Sequence, residues 1–173
     1  DGFVAEITEE EKEVLKENNE IIISDIKQYS AILDVSAPHI NTTSVWKIQL
    51  NSTNITGAKQ SICVLDTGVD YNHTAFGNCW GDNNESSSCV VIGGYDFINE
   101  DDDPIDDNGH GTHVAGIIAS QDATYRGIAP DTKIIAIKIL DSAGNGNGAD
   151  IISAMEWCIN NASRFNITAI SMS

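Results

Sequence analysis

SICVLDTGVD, residues 61–70, carries four consecutive apolar positions, Ile62 to Leu65, and then a carboxylate, Asp66, with Thr67-Gly68 behind it. An uninterrupted apolar run of this length reads as a strand covered on both faces, as in a parallel sheet. Working outward, VVIGGYDFI (90–98), KIIAIKIL (133–140) and NITAISMS (166–173) read as three more strands. Between them lie a Gly/Ala-rich helix within NGHGTHVAG (108–116) and its continuation, and ADIISAMEWCINNA (149–162), apolar at helical spacing through Ile151, Ile152, Met155 and Ile159. Strand–helix alternation of this kind predicts an α/β domain over 61–173, a mostly parallel sheet with helices on both faces.

Upstream the texture differs. DGFVAEI (1–7) alternates like a strand, Thr8 with Glu11 forms a capping box that opens a helix, and EIIIS (20–24) and YSAIL (29–33) read as extended. Residues 1–33 are thus a β-α-β segment, too small to bury a core alone. Residues 34–60 are polar and turn-rich, with one anchoring Trp46, and read as a linker and N-terminal arm.

Composition narrows the function. With 26 acidic against 9 basic residues and a net charge of -17, the chain repels phosphate backbones and anionic lipid, which argues against nucleic acid and membrane as partners. No apolar run is long enough to span a bilayer. The four cysteines, Cys63, Cys79, Cys89 and Cys158, include no CxxC pair, against zinc or a redox motif. Cys79 and Cys89 flank a polar loop suited to a local disulfide, whereas Cys63, inside an apolar run, reads as a buried thiol. Sequons stand at Asn41, Asn51, Asn54, Asn72, Asn84, Asn161 and Asn166. Chance would give about two or three, so the excess points to an extracytoplasmic, glycosylated protein.

Chemistry concentrates at two places. In open parallel sheets reactive groups gather at the carboxyl ends of strands, where Asp66 falls. Taken alone, a D-T-G is most often an Asx-turn or helix cap. His110 opens the next helix among small neighbours, Gly111, Ala115 and Gly116, which let the helix pack closely behind the imidazole.

DTG after a buried strand, followed by HGTHVAG, resembles the subtilisin-like serine proteases, a family whose triad runs Asp, His, Ser along the chain. The resemblance implies Asp66 as the triad aspartate, His110 as the general base and His113 as a structural histidine. GIAP (127–130) and KIIAIKIL resemble the strand after the histidine helix. Gly144, Asn145 and Gly146 match the edge along which a peptide substrate adds itself as a strand. AISMS matches the central strand before the specificity pocket, so Ser171 and Ser173 are not read as the nucleophile. No Gly-Thr-Ser-Met-Ala follows, and two triad members without a serine have no acyl-transfer route.

Residues 1–33 resemble the second half of the family's inhibitory propeptide, an α+β unit. The resemblance therefore implies a fragment with elements cut at both ends, a maturation cleavage near 29–38, and the propeptide and polypeptide substrates as partners. Asp96, Asn99, Asp101 and Asp103, with the Ile105 carbonyl, resemble a structural calcium loop in some members; a solvated acidic turn is the alternative. No organic cofactor is implied. A non-catalytic pseudoprotease and a calcium-stabilised peptide-binding domain are the competing readings.

Overall fold

The computed structural model describes residues 37–173 together with Thr8 and Lys12. The chain divides into two compact units, Asp1–Ala31 and Ile32–Ser173. In the first, Lys12 N donates to Thr8 O at 2.9 Å, the i to i−4 bond of a helix. The other expectations for residues 1–33, and most of the cleavage stretch 29–38, lie outside the described residues.

The described part of the second unit includes helical residues at 37–39, then α1 (Thr42–Val45) and a two-stranded antiparallel hairpin, β1 (Gln49–Leu50) and β2 (Thr53–Asn54). Residues 34–60 read as a linker and N-terminal arm, and the described part of this stretch is held on the 126–132 segment: Trp46 Nε1 donates to Ile128 O at 2.9 Å, and Thr56 Oγ1 to Asp131 Oδ2 at 2.5 Å. The indole is also covered by Arg126, 5.5 Å from the ring centroid.

Four parallel strands form the main sheet: β3 (Ser61–Asp66), β4 (Val91–Asp96), β5 (Lys133–Lys138) and β6 (Ile167–Met172), in the order β4-β5-β3-β6. The connections carry α2 (His110–Ala119), α3 (Gly148–Asn160) and the short α4 (Ala162–Phe165). Because strand side chains alternate, the apolar run of β3 serves two cores at once. Cys63 and Leu65 join Ile135, Ile137, Ala154, Cys158 and Phe165 on the α3 side. Val64 joins Ile134, Ala136, Ala115 and Ala119 on the α2 side. Each fully buried isoleucine contributes roughly 1.5–3 kcal/mol, which is why these runs tolerate no polar break except at their ends.

One expectation is corrected. Cys63 is not a thiol: it is bonded to Cys158, tying β3 to α3 across 95 residues. The strand faces the helix that lies against it, and a pairing between such distant positions leaves no trace in spacing. Among the described residues β6 pairs with β3, and Ile170 and Met172 are 41% and 52% exposed.

Candidate active site

The site forms where β3, β5 and the start of α2 meet. Asp66 is the last residue of β3 and is fully buried. A buried carboxylate is costly unless donors surround it. Here Oδ1 accepts from Thr67 N at 2.7 Å and lies 2.7 Å from His110 Nδ1, while Oδ2 accepts from Ser173 Oγ at 3.1 Å. Its backbone carbonyl accepts from Ile139 N and Leu140 N, at 2.9 and 3.2 Å, fixing the strand end against the segment after β5.

An ionised carboxylate can only accept, so beside it His110 Nδ1 keeps its proton and donates a hydrogen bond to Asp66 Oδ1. Nε2 is left with its lone pair, on a side chain that is 52% exposed. The imidazole is thereby fixed in orientation and tautomer at the solvent side of a buried anion.

Helix α2 has Gly109 as its N-cap, which offers no side chain to the first turn. Asp106, three residues earlier, supplies it. Its Oδ1 accepts from Thr67 Oγ1 (2.8 Å), Asn108 N (3.0 Å) and Gly109 N (2.9 Å), and its Oδ2 from Thr112 N (2.9 Å) and Thr112 Oγ1 (2.5 Å). Thr67 Oγ1 in turn accepts from Gly111 N at 3.0 Å. A negative group at the helix N-terminus also suits the dipole. Burial pushes the Asp106 carboxyl up, but donation from Gly109, Thr112 and Asn108 outweighs it and holds the group below the usual carboxylate range. The turn that bears Asp66 and the helix that bears His110 are thus joined through one anion.

The remaining expected residues fall as follows. His113 is exposed on α2. Gly116 has open space around it and takes no part in the close packing, which belongs to Gly111, Ala115 and Ala119. Gly144, Asn145 and Gly146 are exposed, the first two within a turn in which Asp141 Oδ1 accepts from Ala143 N and Asn145 N, both at 2.9 Å. Those donations hold the Asp141 carboxyl below its ordinary value. Cys79 and Cys89 are bonded to each other.

Among the described residues no three His, Cys, Asp or Glu side chains are grouped as a metal site requires. Asp96 and Asp101 are bridged through their backbones, and Asp96 accepts from Ile98 N, Asn99 N and Asn99 Nδ2. Asp103 accepts from the Tyr71 hydroxyl at 2.5 Å. That contact adds to burial in pushing the phenol above its ordinary value. The Ile105 carbonyl abuts Gly68, where an added Cβ would stand 2.9 Å from it. Asp101 Oδ1 accepts from Asp103 N at 3.0 Å, and the side chains of Asp101–Asp103 are exposed.

Several residues of the site were not singled out from sequence: Asp106, Asp107, Lys138 and the Ser173 contact. Lys138 had a signal, a lysine inside the apolar run KIIAIKIL.

The model of the Subtilase family matches residues 57–173, which include both Asp66 and His110. The chain belongs to the subtilase family. It is 36% identical over 137 residues to the serine protease AprX of Bacillus subtilis, covering 77% of this chain and 28% of AprX. It is 30% identical over 186 aligned residues to the alkaline serine exoprotease A of Vibrio alginolyticus, covering 99% of this chain and 32% of that protein. Among solved structures, a cold-adapted subtilisin-like serine proteinase superposes with a TM-score of 0.52 at 34% identity, covering 67% of this chain and 38% of the other. The chain thus spans roughly a third of the length of these subtilases, and the parallel sheet with helices on both faces is the subtilisin-like fold.

Proposed function

We propose that this subtilase chain supplies the acid–base half of a serine endopeptidase, with the attacking hydroxyl coming from a serine outside these 173 residues. The observation that carries the reading is the 2.7 Å contact between fully buried Asp66 and half-exposed His110. The free Nε2 takes the serine proton as the serine oxygen attacks the peptide carbonyl. Asp66 stabilises the imidazolium so formed, and the same proton then passes to the leaving amine. Ser173 is bonded to Asp66 and serves that carboxylate; it is not assigned as the nucleophile. Without the hydroxyl the pair has no acyl-transfer route, so the 173 residues alone are inert.

Extended polypeptide is the substrate, lying along the exposed 144–146 segment by backbone pairing. Residues 1–33 act as an intramolecular inhibitor in the precursor. Two disulfides and seven sequons support action outside the cytoplasm. Among the described residues no helix is long and apolar enough to cross a membrane. Calcium at the 96–105 loop carries no step of the reaction; it requires Asn99 to turn its amide oxygen toward the ion.

An organofluorophosphate tests the nucleophile. It should inactivate the full-length protein and label one serine beyond residue 173, only while Asp66 and His110 are intact. Activity that persists unlabelled contradicts the reading.

A further inference from the structure

Lys138, the last residue of β5, is 1% exposed, and the hydrolytic step makes no use of it. A buried ammonium is tolerated only when its protons are taken up, and an apolar residue would suit the strand better. Here Nζ donates to Thr67 O at 2.7 Å, to Asp107 Oδ1 at 2.6 Å and to Leu140 O at 3.0 Å. Three donors thus meet three acceptors on three different segments. Thr67 follows the triad aspartate. Asp107 precedes His110 by three residues. Leu140 leads into the exposed 141–147 segment. A second tie joins the last two, because Asn108 Nδ2 donates to Ser142 O at 3.0 Å.

We propose that Lys138 is a positioning residue that fixes the peptide-binding edge in register with Asp66 and His110, so that an extended chain laid along 140–147 presents its scissile bond to the imidazole. The proposal rests on the peptidase reading above and deepens it. Lys138 touches neither substrate nor the reacting atoms; it acts through the backbone at Thr67 and Leu140 and through Asp107. Asp107 is half-exposed, so its loss leaves the core intact, whereas loss of Lys138 strips three acceptors at once.

The test compares two substrates on the full-length protein: a single-residue ester, too short to reach the edge, and a tetrapeptide anilide that lies along it. Lys138→Met should lower kcat/KM for the tetrapeptide about tenfold, mainly through KM, and change the ester by less than about twofold. Asp107→Asn should act in the same direction, by about threefold. Equal losses on both substrates would mean a general stability role, and unchanged tetrapeptide kinetics in both variants would mean no role; either overturns the proposal. If the parent protein hydrolyses neither substrate, the peptidase reading fails, and amide hydrogen exchange still decides this one. Asp107→Asn should speed exchange across 140–147 above the rest of the sheet region, and an unchanged pattern overturns it.

Discussion

Gly111 sits directly against Gly68: a methyl group on the helix residue would stand 2.1 Å from the carbonyl oxygen of the turn residue and 3.1 Å from Asp66 Cβ. No rotamer relieves a Cβ contact, so the helix and the turn would have to part. Gly111→Ala should therefore destabilise by about 1–3 kcal/mol and separate His110 from Asp66, seen as a lower Tm and a loss of hydrolysis. Gly116, one and a half turns along the same helix, has nothing within 4 Å of an added Cβ. Gly116→Ala should be neutral or stabilising by up to about 1 kcal/mol. Equal Tm values for the two variants would refute the close approach.

Asp106 sets an acid-sensitive share of stability. Its folded carboxyl is held below the ordinary range despite burial, by donation from Gly109, Thr112 and Asn108. A group depressed in this sense stabilises the fold above its unfolded value, about 3.9, and that contribution is lost as pH falls through the folded value. The Tm gap between the parent and Asp106→Asn should be widest near neutrality and close below about pH 4. A gap that widens in acid would contradict the assignment.

The two disulfides should differ in what they contribute. Cys63–Cys158 closes 95 residues and Cys79–Cys89 only 10. On the chain-entropy account these correspond to about 4.7 and about 2.7 kcal/mol. Replacing the first pair by alanine should lower Tm more than replacing the second. The reverse order in thermal melts would show that loop closure does not govern their effect.

Calcium is tested by melting with the ion and with chelator. If the 96–105 loop binds it, Tm rises on addition and the rise is lost in Asp101→Ala. An unchanged Tm would contradict calcium binding at this loop.

The alternation of apolar runs and amphipathic spacing made the four strands and the two long helices readable, because burial on two faces demands unbroken hydrophobic sequence at β3 and β5. Asp66 and His110 were readable because their neighbours are unusual: a strand ending in DTG and a helix opening with HGTH. Asp106 and Asp107 were hidden among the acidic residues 101–107, where one carboxylate caps a helix, one pairs with a buried lysine and others face water. Composition cannot separate those fates, since each depends on a partner distant in sequence. Trp46 was read as an anchor, yet what it anchors to, Ile128, is 82 residues away. The bond between Cys63 and Cys158 was invisible for the same reason.

The most direct measurement is casein hydrolysis by the full-length protein beside its His110→Ala variant. The account predicts clear hydrolysis by the parent and a fall of at least about a thousandfold in the variant, because the serine would lose the base that accepts its proton. Equal rates in the two would contradict it.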